Sequence, residues 1–125
     1  MSLSRYLSDV RQEIERLDDY GFAESIDFHE EIRAGKQALL RIGIVLMDSS
    51  ILLIKEYIDS KYGIEKVSYA YQYHDGDGKL LFRYDNAVHK PALNFKDHKH
   101  KRDGTVLSIK PPEIKELIDE VISYL

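Results

Sequence analysis

The chain has no cysteine. That absence removes disulfides, Cys-ligated zinc, iron–sulfur clusters and a thiol nucleophile together. No apolar run approaches the roughly 20 residues that span a bilayer. The opening Met1-Ser2-Leu3-Ser4-Arg5 runs into an amphipathic pattern and has no apolar signal-peptide core. A cytoplasmic location without a membrane partner is therefore expected. Net positive charge is lacking too: the formal charge is -4. A protein that coats nucleic acid through global charge is excluded, so any such binding must come from a local patch. The chain shows no internal repeat and no low-complexity segment.

A hydrophobic fraction of 43% beside a charged fraction of 32% is that of a globular protein, not a disordered one. A length of 125 residues bounds it to a single domain, 1–125, able to bury one core without staples.

Leu3, Tyr6, Leu7, Val10, Ile14 and Leu17 recur at helical spacing, and Gly21 is placed to end the helix in a left-handed turn. From Phe22 the period becomes two, with Ile26, Phe28 and Ile32 alternating against Asp27, His29 and Arg33. Residues 36–47 and 51–58 carry apolar residues on both faces around the turn Asp48-Ser49-Ser50, which predicts a central hairpin. Tyr69, Tyr71 and Tyr73 line one face of a fourth strand. Asp75-Gly76-Asp77-Gly78 turns the chain, and Leu80, Phe82 and Tyr84 alternate in a fifth. Residues 86–110 show no period and read as a loop. Pro111-Pro112 opens a last helix whose stripe is Ile114, Leu117, Ile118, Val121, Ile122 and Leu125. The expected fold is α+β: a five-stranded antiparallel β meander with N- and C-terminal helices packed on the sheet. Because the central strands are apolar on both sides, residues 3–17 are expected to cover the second sheet face or to form a two-fold homodimer contact; packing wholly within the monomer is the alternative.

Chemical density concentrates between the fifth strand and the last helix. Arg83-Tyr84-Asp85-Asn86-Ala87-Val88-His89 is followed by Lys96-Asp97-His98-Lys99-His100-Lys101-Arg102, which gathers three of the five histidines with a run of cations. Imidazole exchanges protons near neutrality, and Lys and Arg hold phosphate. His98 and His100, two apart, point to the same side of an extended backbone. Asp85, His89, His98 and His100 are the candidate catalytic groups for RNA cleavage, with Asp85 orienting an imidazole. Arg83, Tyr84, Asn86, Lys96, Lys99, Lys101 and Arg102 are the candidate substrate contacts. The same Asp and His residues offer metal-ligand chemistry, but the neighbouring cations repel a dication and attract phosphate. No metal and no cofactor are therefore expected; a divalent-metal-dependent nuclease or a structural zinc site, which needs at least three of Asp85, His89, His98 and His100 to converge, is an alternative. A solvated Lys/His loop is the plain alternative, and a non-catalytic module gripping nucleic acid or protein is another.

Other patterns carry less. The tyrosine face suits base stacking but more commonly fills a half-buried sheet. Asp48 with Asp59-Ser60-Lys61 echoes metal-dependent nucleases, yet Asp48 is already a turn residue. Asp75-Gly76-Asp77-Gly78 lacks the other ligands of a calcium loop.

The segment Gly78 to His89, then His98-Lys99-His100, then Pro111-Pro112 before an amphipathic helix, resembles the TumE family of toxin–antitoxin proteins. The resemblance covers roughly the second half of the chain. It implies a small cytoplasmic bacterial or archaeal toxin, neutralised by a cognate antitoxin encoded beside it, with RNA as the usual target of toxins this size. The signature positions carried over are Tyr84, Asp85, Asn86, His89, His98, Lys99 and His100. One departure stands out: the family often pairs the first histidine with a second, whereas Lys90 follows His89 here.

Overall fold

A computed structural model describes residues 1–88 and 95–125 of the chain; the expected site residue His89 lies outside the described residues. The elements run α1 (Leu3–Asp19), β1 (Ala23–Arg33), β2 (Gln37–Leu46), β3 (Ile51–Asp59), β4 (Glu65–His74), β5 (Leu80–Asp85), β6 (His98–Lys101), β7 (Val106–Ser108) and α2 (Ile114–Ile122). All strands pair with their sequence neighbours in one antiparallel sheet, ordered β1 through β7.

The sheet therefore has seven strands, not five. The two extra ones lie inside the stretch read as a loop. Their sequences, His-Lys-His-Lys and Val-Leu-Ser, are too short and too polar to show an apolar alternation. Pairing to β5 makes β6 a strand: Phe82, Arg83, Tyr84 and Asp85 face Lys101, His100, Lys99 and His98 in turn.

The expectation for α1 is also corrected. Both helices pack on the same sheet face. Tyr6, Leu7, Val10, Ile14 and Leu17 join Ile114, Leu117, Ile118 and Val121 in one core with the inward residues of the strands. Alternation puts Leu40, Ile42, Ile44, Leu52, Ile54 and Ile58 on that face. The apolar stripe of α1 is thus consumed inside its own monomer and is not left for a homodimer contact. The second sheet face, which we call the open face, carries no helix among the described residues. Mixed side chains line it, among them Leu39, Arg41, Leu53, Lys55, Ala70 and Gln72, and polar groups make such a face tolerable in water. Tyr69, Tyr71 and Tyr73 are buried under the helices, so they fill the core and offer no stacking platform.

Local signals set the element ends. Ser2 caps α1, its Oγ accepting from the Arg5 amide at 3.1 Å. Gly21 closes α1 at φ 74°, the left-handed turn that glycine enters without strain. Pro111 and Pro112 precede α2 rather than sit in its first turn. Glu113 is the N-cap, forming a capping box with Glu116. The helix stops at Ile122, which leaves Leu125 exposed.

Candidate functional site

The register decides which charged residues meet. Cross-strand partners in an antiparallel sheet point to the same face, so Arg83 and Asp85 on β5 share the open face with His100 and His98 on β6. Tyr84 and Lys99, one residue out of step, point to the helices instead. Period-two geometry divides one dense sequence stretch between two sides of a sheet.

On the open side Asp85 is the hub. Its side chain is only 3% exposed and that of His98 only 1%. His98 Nε2 lies 2.6 Å from Asp85 Oδ1, and His100 Nε2 lies 3.4 Å from Oδ2. Arg83 Nε donates to Oδ2 at 2.7 Å, and the Ala87 amide donates to Oδ1 at 3.0 Å. Arg83 also donates through Nη1 to Gln72 Oε1 at 2.8 Å. Burial pushes the Asp85 carboxyl up, but the Arg83 hydrogen bond, the Ala87 amide and the charge of His98 outweigh it, and it is held below the ordinary carboxylate range.

The second nitrogen of His98, Nδ1, faces the Lys96 carbonyl oxygen at 3.0 Å. Both ring nitrogens of His98 therefore have an acceptor within hydrogen-bond distance. His100 is the more accessible ring, with 23% of its side chain exposed, and it meets His98 edge to face at a centroid distance of 5.1 Å.

Among the described residues, Asp85, His98 and His100 offer ligand atoms all within 4.8 Å of one another and could hold a divalent ion. The donor set suits such an ion poorly. Both carboxylate oxygens already accept hydrogen bonds, one of them from a guanidinium fixed 2.7 Å away. A cation there would have to displace a donor and sit beside a permanent positive charge.

The other expected contacts fall elsewhere. Tyr84 Oη and Lys99 Nζ both donate to Glu120 of α2, at 2.6 and 2.8 Å, and the Lys99 ammonium lies over the Phe82 and Tyr84 rings. Burial lowers the Lys99 ammonium, but Glu120 and Tyr84 more than reverse that and raise it above its ordinary value. Asn86 is a structural stitch: Oδ1 accepts from the Tyr69 amide and Nδ2 donates to the Val67 carbonyl, both at 3.1 Å, which continues the β4–β5 ladder past its end. Lys101 ends β6 opposite Phe82, and Arg102 follows it in the β6–β7 turn, both exposed and at the far end of the strand from His98. Lys96 remains near the site on the surface of the open face. Asp48 and the Asp59–Lys61 pair lie at opposite ends of β3 and do not converge. Sequence reasoning missed Gln72, Arg41 and Lys55. The available signal was a polar or cationic residue repeatedly interrupting the outer face of strands otherwise rich in apolar residues.

Beside Asp85 the open face is hollowed. A cavity of about 470 Å³ has Ala70 in its floor and Arg41, Lys55, Arg83, Asp85 and Lys96 around it.

Fold and site together define a small α+β protein with both helices on one face of an antiparallel sheet and an Asp–His–His–Arg cluster on the other, at its short-stranded end. The chain belongs to the Toxin TumE family, which it matches over residues 5–125. The resemblance read from the second half thus extends over nearly the whole chain, the N-terminal helix included. A toxin family implies an antitoxin partner. Protein VP3 of a human strain of Rotavirus X is 27% identical over 88 residues, 69% of this chain; the match spans 12% of that protein. No solved structure matches the chain. No helix among the described residues is long and apolar enough to cross a membrane.

Proposed function

We propose that this protein is the toxin of a toxin–antitoxin pair, acting in the cytoplasm as a metal-independent endoribonuclease through Asp85, His98, His100 and Arg83. One observation carries the reading: a buried carboxylate gathers two imidazoles and a guanidinium, of which His100 and Arg83 are partly exposed. In this mechanism Asp85 and His98 are positioning groups. Asp85 fixes both rings, and His98 is held between that carboxylate and the Lys96 carbonyl. His100, the exposed ring, exchanges the proton of the attacking 2′-hydroxyl. The hydroxyl oxygen bonds to phosphorus, the bond to the 5′-oxygen breaks, and that oxygen takes a proton from solvent water, whose hydroxide is neutralised by the proton His100 took up. Arg83 has five N–H groups and commits two of them to Asp85 and Gln72. The remainder can stabilise charge on the pentavalent phosphorus.

The test is expression without antitoxin of wild type and of the His98→Ala, His100→Ala double variant, followed by mapping of RNA ends. Wild type should arrest growth and leave new RNA ends, and its purified form should cleave in the presence of a chelator. The double variant should do neither. Equal toxicity of the two proteins would remove the site from consideration. Cleavage abolished by chelation would transfer the cluster to metal chemistry.

A further inference from the structure

Beyond the cluster, the register lays a row of residues across the strands of the open face. His29, Arg41, Lys55, Ala70, Asp85, His98 and Ser108 are successive cross-strand partners. At about 4.8 Å between strands, Lys55 stands about 10 Å and Arg41 about 14 Å from Asp85 along that row. Ala70 separates them from the cluster, and its methyl is the smallest side chain in the row. The missing bulk is the floor of the 470 Å³ cavity.

Arg41 and Lys55 differ from Arg83, which lies beside the same cavity and is held by Asp85. Arg41 and Lys55 are exposed, and among the described residues no ion pair or side-chain hydrogen bond engages either. Two uncommitted positive charges beside a hollow, in line with an acid–base cluster, form an anion track. The next row adds Leu39 and the half-buried Tyr57, an apolar and aromatic flank at the cavity wall.

We infer that the cavity over Ala70 is a substrate subsite, which takes one unpaired nucleotide of an RNA strand whose phosphates run over Lys55 and Arg41 away from the Asp85 cluster. The volume suits a single nucleotide and not a duplex. An unpaired base can lie against Tyr57 while the backbone stays on the cations. This deepens the proposed function and rests on it for the identity of the polymer. Recognition through phosphate and stacking makes the track tolerant of sequence.

The test uses full-length protein carrying His100→Ala, so that a short fluorescent single-stranded oligoribonucleotide stays intact during binding measurements at several salt concentrations. Adding Arg41→Gln and Lys55→Gln should weaken binding about tenfold and lower the salt slope by about 1.4, near 0.7 for each phosphate left without its cation. A charge-matched control, Lys101→Gln with Arg102→Gln, should leave both unchanged. Ala70→Leu fills the hollow without altering charge; it should weaken binding while thermal stability is retained. In the His100 background an unchanged affinity for the Arg41/Lys55 variant overturns the track, as does equal affinity for a duplex of the same sequence. In an otherwise wild-type protein that cleaves, the Arg41/Lys55 changes should raise KM and leave kcat. If wild type never cleaves but the Arg41/Lys55 variant still loses binding, the track stands and the catalytic reading falls.

Discussion

At Asp85, burial and hydrogen bonding pull the carboxyl in opposite directions, and the donors prevail. A folded-state value below that of the unfolded chain means that ionised Asp85 stabilises the fold. That contribution is complete above the ordinary aspartate range near pH 4 and is lost as pH falls through the depressed value. Asp85→Asn removes the charge but not the shape, leaving Arg83 and His98 without their anion. We expect a loss of about 2–4 kcal/mol at pH 7, with the gap from wild type closing as denaturant melts are repeated toward pH 3. A gap that stays constant with pH would show that shape, not charge, accounts for the loss. The same variant should abolish toxicity, since the imidazoles lose their orienting partner.

At the scale of elements, the strand β6 illustrates how two jobs share four residues. His98 and His100 face the open side, while Lys99 crosses to the helices and is stapled with Tyr84 to Glu120. Lys99→Gln is therefore expected to cost about 1 kcal/mol, as a partly buried ion pair and cation–π contact would, and to leave the salt slope of RNA binding unchanged. Thermal melts and the same anisotropy titration check both halves; a lowered slope would return Lys99 to the substrate face. The helix α1 makes a parallel case. Its stripe sits under its own sheet, with Leu7 5% and Ile14 2% exposed. Leu7→Glu with Ile14→Glu would bury two unpaired carboxylates and forfeit several kcal/mol of apolar burial. The double variant should unfold outright by circular dichroism. A folded variant sedimenting at lower mass than wild type would instead revive the dimer contact.

For the whole molecule, the core is unusual in donating phenols to carboxylates. Tyr6 and Tyr71 both donate to the buried Glu56, with Lys66 Nζ 3.6 Å away, and Tyr69 donates to Asp97 at 2.9 Å. Burial first, and the adjacent carboxylates next, push all three phenols above their ordinary range. A raised folded-state value stabilises below the unfolded value and is lost as pH rises toward the folded one. Stability should thus fall as pH climbs beyond about 10, with tyrosinate absorbance appearing together with loss of secondary structure. Glu56→Gln should flatten that alkaline decline. Tyrosinate formation in a chain that keeps its secondary structure would contradict the coupling.

Periodicity by itself determined α1, α2 and five strands, because each buries an apolar face that repeats at 3.6 or 2.0 residues along the chain. Composition along the chain also showed where titratable and cationic side chains are concentrated, since those are properties of side-chain types. The strands β6 and β7 were invisible at that level: a four-residue strand of His and Lys has no apolar alternation, and only the pairing edge of β5 makes it a strand. Tertiary structure alone decided which members of the dense stretch lie together. The β5–β6 register joins Asp85 to His98 and Arg83 to His100, turns Lys99 and Tyr84 to the helices, and brings Arg41 and Lys55 from strands far back in the sequence into line with the cluster. Such alignments follow from backbone hydrogen bonds between distant segments, and a one-residue slip would exchange the faces entirely.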